Sequence, residues 1–159
     1  EVLRENDEIA TTSIFGNFMA GSYFFANQAY NANELTINDQ LYLLESQIIH
    51  SLAEKGPCVI IGRCADYVLR EHKHTLNVFV HADIEFRKKR AVEHYGISPK
   101  KIEEFLHKQD KHRAHYHSFY TDQKWKAIEN YDLTIDSSRF GIDASVEMII
   151  AAAKIKSGV

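Results

Sequence analysis

The sequence predicts an α/β domain built on a parallel sheet covered by helices, and three observations carry that prediction. Cys58–Ile61, Leu76–Val80 and Leu133–Ile135 are short apolar runs rich in β-branched residues, too short for helices, and read as strands buried between layers. Other segments repeat apolar residues at three- and four-residue spacing, the mark of amphipathic helices. Strand and helix alternate through the second half of the chain, as in a sheet whose parallel strands are joined by crossing helices.

The first half begins with a polar stretch, Glu1 to Thr12, and then an aromatic-rich one, Phe15 to Tyr30, with no clean period. This second stretch serves either as irregular cover over an apolar surface or as a flap beside a substrate. Leu35 to Lys55 reads as a helix, with Thr36 and Asn38 as capping candidates and a core-facing stripe of Leu41, Leu44, Ile48, Ile49 and Leu52. Gly56 and Pro57 end it. The Cys58–Ile61 strand follows at once, and Ala65 to Arg70 has the spacing of a short helix. Gly62-Arg63 therefore falls at the carboxyl end of a strand, on the turn into a helix, which is where open α/β sheets bind ligands. An arginine there is a fork suited to phosphate or carboxylate, or the partner of a neighbouring acid.

After the strand at Leu76–Val80, Asp83 is a plausible N-cap for a helix from Ile84 to Tyr95 closed by Gly96. Ser98-Pro99 starts a further helix, in the cap-then-proline order, that runs towards Tyr116 or Tyr120. The strand Leu133–Ile135 ends in Asp136-Ser137-Ser138, and Ile142 to Lys156 closes the chain as a helix with Val146, Ile149, Ile150 and Ala153 on one stripe.

Bulk properties narrow the function classes. The chain has 159 residues, 45% hydrophobic and 26% charged, which fits one ordinary globular domain. A net charge of −3 provides no basic field for indiscriminate binding to nucleic acid or a membrane surface. No apolar run is long enough to span a bilayer and no secretory signal pattern occurs, so a cytoplasmic location is the default expectation. The two cysteines, Cys58 and Cys64, form neither a metal-binding pair nor a disulfide framework.

Charge gathers in two places. Arg87 and Arg90, at i and i+3 on the helix after the second strand, share a face, with Lys88 and Lys89 between them. Asp110, Arg113 and His117 share a face of the next helix, beyond the apolar Ile102 and Leu106. The two helices read as a cationic hairpin over a cleft, the arrangement phosphoryl transfer needs, or as ordinary solvated faces. His107, His112, His115 and His117 are dense but reach no recognisable metal spacing, and no metal site is expected. No nucleophile elbow or catalytic carboxylate pair occurs.

Taken in order, Cys58-Val59-Ile60-Ile61-Gly62-Arg63-Cys64-Ala65-Asp66, Arg87-x-x-Arg90, Asp110-Lys111-x-Arg113-x-x-Tyr116, Tyr120-Thr121, Trp125 and Tyr131-Asp132-Leu133 resemble the cytidylate kinase-like family of P-loop nucleoside monophosphate kinases. The resemblance runs from about Leu35 to the C-terminus. It implies a three-layer parallel sheet of P-loop NTPase type with a helical LID at residues 84–120 and a monophosphate-binding insert at about 10–35. The implied reaction moves the γ-phosphate of ATP to CMP or dCMP with Mg²⁺. By position, Arg63 resembles the arginine that holds the acceptor nucleotide. Asp66 is then a nucleotide contact or that arginine's orienting carboxylate. Arg87, Arg90, Asp110 and Arg113 resemble the LID elements that act on the phosphates in flight.

Two departures accompany the resemblance. No Gly-x-x-x-x-Gly-Lys-[Ser/Thr] loop, nor the Gly-Ser-Gly-Gly variant, occurs; the early glycines Gly16 and Gly21 have no lysine after them. The expectation is that the first strand, P-loop and first helix lie upstream of Glu1, so the residues that bind ATP remain unassigned. After Trp125, Lys126-Ala127-Ile128 also lacks the glycine expected from the family pattern. The rival expectation, from a different class, is a non-catalytic nucleotide-binding or regulatory module without a donor site.

Overall fold

In a computed structural model, residues 36–158 are described. Among them the fold is mixed α/β, with six helices, one 3₁₀ turn and a two-stranded parallel sheet. The aromatic stretch Phe15–Tyr30 and the insert expected at about 10–35 lie outside the described residues. The chain divides into two compact units, Glu1–Leu43 and Leu44–Val159. The second carries both strands and every side chain of the site below.

Helix α1 is Ile37–Lys55. Its start is a capping box: the Asp39 amide donates to the Thr36 hydroxyl oxygen at 3.2 Å, and the Asp39 carboxylate accepts from the Thr36 amide at 3.2 Å. Ile49 is buried on the expected stripe, but so is Glu45, one turn before it.

The strand expected at Cys58–Ile61 does not form: the segment is extended coil, with Val59 92% and Ile61 88% exposed. A strand is stabilised by the ladder and side-chain cover its neighbours supply, and among the described residues none pairs with this segment. Gly62, Arg63 and Cys64 then adopt left-handed backbone in succession, with φ of 71°, 56° and 54°. For the two non-glycine residues this costs about 1–2 kcal/mol each. The turn delivers the chain into α2, Ala65–Val68, and places Cys64 in the interior.

Strand β1 is Val78–His81 and β2 is Leu133–Asp136, paired in parallel with Val78 opposite Leu133 and His81 opposite Asp136. Ile135 is the most deeply buried large side chain among the described residues. The crossover between the strands is a helical hairpin. Helix α3, Ile84–Tyr95, is capped by Asp83, whose carboxylate accepts the Phe86 amide at 2.7 Å. It ends at Gly96 with φ 62°, where the Ile97 amide returns to the Ala91 carbonyl.

Helix α4 is Ile102–Thr121 and begins later than Ser98-Pro99 predicts. Residues 98–101 form a turn closed by the Lys101 amide on the Ser98 carbonyl, with Pro99 at its second position. Serine followed by proline suits a turn of this kind as well as a helix start. Ala91, Ile102 and Leu106 form the hairpin's own core, with Ile84, Ile97 and Phe105 against it.

After β2 comes a one-turn helix the sequence did not announce, α5, Ser137–Phe140, and then α6, Ile142–Ser157. α6 packs along β2 and α5 against β1. On α6, Ser145 is buried whereas Val146 and Ile150 of the expected core stripe are half-exposed. No helix among the described residues is long and apolar enough to cross a membrane.

Candidate functional site

Parallel strands direct both chain exits to one edge of the sheet, and the hairpin starts from that edge two residues after His81. The strand ends are tied together there. The Ser137 hydroxyl donates to the His81 carbonyl at 3.0 Å, and the Asp83 amide donates to the Ser138 hydroxyl at 3.1 Å. Asp136 accepts from both the amide and the hydroxyl of Ser138, and those bonds hold its carboxyl below the usual range.

Arg87 lies on the first turn of α3, and its guanidinium grips Asp110 of α4 through two bonds, Nη1 to Oδ2 at 2.8 Å and Nη2 to Oδ1 at 2.7 Å. Such a planar fork-to-fork pair is the strongest geometry an arginine makes with a carboxylate. Two further cations face the same acid. Arg113 Nη1 is 3.5 Å from Oδ1 and Lys126 Nζ is 3.7 Å from Oδ2. Burial alone pushes the Asp110 carboxyl up, but the Arg87 bonds and the charges of Arg87, Lys126 and Arg113 outweigh it and hold the carboxyl below its ordinary value.

The structure thus brings Arg87, Asp110 and Arg113 together. Arg90 lies one turn along α3, part-buried, with no ion-pair partner among the described residues. The intervening lysines are neutralised separately, Lys88 by Glu85 at 3.0 Å and Glu103 at 2.5 Å, and Lys89 by Glu93 at 4.0 Å. The repulsion expected along the run is relieved at Arg87, Lys88 and Lys89 by four acids, two of which, Glu103 and Asp110, reach across the hairpin from α4.

Arg63 sits on its left-handed turn beside Glu45 of α1, Nη1 to Oε1 at 3.3 Å, and is about half exposed. The Tyr116 hydroxyl of α4 donates to the other oxygen of Glu45 at 3.0 Å. Burial, and then the Glu45 charge, push the Tyr116 hydroxyl far above its ordinary range, so it acts as a donor. The carboxylate beside Arg63 is therefore Glu45.

Asp66 faces elsewhere: its Oδ2 is 2.9 Å from Nε2 of the buried His117, whose Nδ1 lies 3.2 Å from the Thr121 hydroxyl. Asp66 also lines a polar cavity of about 150 Å³ with Tyr67, Arg70, Asn77, Gln123 and Asn130. Asn77 and Asn130 precede the strands, so this cavity lies towards their amino ends.

Sequence reasoning missed Glu45, Tyr116 as its partner, the burial of His117, and Lys126 as a site cation. One signal was present for Glu45. It stands between Leu41 and Ile49 at four-residue spacing, a charge in the middle of an apolar stripe. For Lys126 there was only the missing glycine in Lys126-Ala127-Ile128.

Against known proteins, the sequence model of the cytidylate kinase-like family matches residues 1–139. No curated protein matches the chain. Among solved structures, the crystal structure of an uncharacterized protein from Eubacterium ventriosum ATCC 27560 is similar. It is 29% identical with a TM-score of 0.70, over 76% of this chain and 68% of that one.

Proposed function

Because the chain belongs to the cytidylate kinase-like family, we propose that it is a nucleotide kinase that moves the γ-phosphoryl group of ATP to a nucleoside monophosphate, CMP or dCMP. The fold that goes with this reading is a three-layer parallel sheet of P-loop NTPase type, with α3 and α4 as its LID. Use of ATP as donor fits a cytoplasmic location.

The observation that carries the reading is the charge arrangement at Asp110. Phosphoryl transfer has little covalent chemistry for a protein to perform; positioning and neutralising charge on the transferred group do most of the work. Three cations converge on one carboxylate there. Arg87 holds the acid that orients Arg113, and Arg113 meets the phosphates in flight with Arg90. Arg63, paired with Glu45, receives the acceptor nucleotide, while Asp66 on the adjoining helix is engaged by His117. Arg113 and the Tyr116 that reaches Arg63's carboxylate are one turn apart on α4, so one helix carries Arg113 and touches the acid that pairs with Arg63.

Mg²⁺ finds no ready donor set among the described residues. Glu45, Asp66 and Asp110 are committed to Arg63, His117 and Arg87, and no three metal-ligating side chains gather. The metal would have to arrive on the nucleotide phosphates.

A coupled ADP-release assay of the full-length protein over CMP, dCMP, UMP and AMP tests the proposal. Turnover with CMP or dCMP above the others supports it. Absence of turnover with all four overturns it, and CMP binding without turnover would identify a nucleotide-binding module instead.

A further inference from the structure

Asp110 carries one negative charge and is faced by three positive ones, so the cluster has an excess of two. The excess is not spread evenly. Arg87 occupies both carboxylate oxygens at hydrogen-bond distance, which leaves Arg113 and Lys126 farther off, at 3.5 and 3.7 Å. Both are more than half exposed, 56% and 63%, over an acid that is only 17% exposed. A pair of incompletely satisfied cations held beside a part-buried, already neutralised carboxylate is suited to bind an anion.

Lys126 reaches this place on an anchored loop. Trp125 packs edge-on against Phe79 of β1 with ring centres 5.5 Å apart, and its carbonyl accepts the Tyr131 hydroxyl at 2.7 Å. The Ala127 amide closes a turn on the Lys124 carbonyl at 3.0 Å. The Lys126 ammonium lies 5.5 Å from the centre of the Trp125 ring. The lysine is thus presented by backbone fixed to the sheet.

We propose that Lys126, with Arg113, forms a phosphate-binding pair on the donor polyphosphate, and that Arg87 serves as the positioning residue that holds Asp110 beneath them. The choice of ligand rests on the phosphoryl-transfer reading; the existence of an anion site rests on the charge geometry alone.

Inorganic tripolyphosphate tests the site without requiring turnover. Trp125 is the single tryptophan of the protein and lies under Lys126, so its emission reports binding directly. In the full-length protein, tripolyphosphate should change Trp125 emission saturably. Lys126→Ala should weaken its binding about tenfold, as for losing one charged hydrogen bond worth about 1.4 kcal/mol. The variant should also make binding less sensitive to salt, because one screened attraction is gone. Arg113→Ala should weaken binding similarly, while Lys124→Ala, on the same loop, should leave it unchanged. Calorimetric binding of tripolyphosphate to Lys126→Ala provides a second readout, independent of any change in the tryptophan's surroundings.

Equal affinity in wild type and Lys126→Ala overturns the proposal, as does no binding in the wild type, or an equal loss in Lys124→Ala. Lys126-dependent tripolyphosphate binding in a protein that turns over no nucleotide would leave the anion site standing and remove the kinase reading.

Discussion

Arg63 is held 3.3 Å from the buried carboxylate of Glu45, which also accepts the Tyr116 hydroxyl from α4. The cation assigned to the acceptor is thereby tied to the helix that bears Arg113. Glu45→Gln keeps the shape and the Tyr116 bond but removes the charge that holds Arg63. The expected result is a several-fold rise in the acceptor KM with kcat nearly unchanged, measured by varying CMP at saturating ATP. Arg63→Ala should raise that KM further, and an unchanged KM would remove Arg63 from the acceptor site.

Tyr116→Phe deletes one bond to a buried acid and leaves the ring in place. Loss of a hydrogen bond to a charged partner predicts destabilisation of about 1.5–3 kcal/mol, measured by urea unfolding.

Arg113→Ala should lower kcat by about a hundredfold or more, the cost of one preorganised charge donor at a transition state. Asp110→Asn should reduce kcat as well, because Arg87 and Arg113 lose the charge that orders them. Steady-state kinetics with both substrates saturating separates these effects from binding.

Stability should depend on acid through Asp110. Its folded-state pKa is depressed, so its contribution is complete above the ordinary carboxylate pKa of about 4 and is lost as pH falls through the lower folded value. Asp132 behaves alike: burial raises its pKa, but the Lys156 bond and the Asn77 amide outweigh that. Urea midpoints from pH 6 downward should fall less steeply below about pH 4 in Asp110→Asn than in wild type.

The two thiols should differ in reactivity. Burial, then the charges of Asp66 and Glu45, push the Cys64 thiol up to about 12, whereas Cys58 is exposed. A thiol reagent at neutral pH should label one cysteine in the native protein and both after denaturation, as read by mass spectrometry.

Several elements were legible because their signals are local. Asp83 and Gly96 bound α3 as read, since a cap and a left-handed glycine act within one turn of the residues they terminate. The spacing of Asp110 and Arg113 placed both on one helix face, and the structure adds Arg87 to them. Cys58–Ile61 misled because β-branched apolar residues report a preference for cover and pairing, which only neighbouring strands can supply.

Side-chain chemistry in the sequence by itself determined the longer helices, two of the three expected strands and the arginines worth following. Only the tertiary structure decided which acid each cation meets. Glu45 is 18 residues from Arg63, Asp110 is 23 from Arg87, and Asp66 is 51 from His117. Periodicity predicts which way a side chain faces on its own helix; its partner depends on how the elements pack, and burial then makes each of those pairings obligatory.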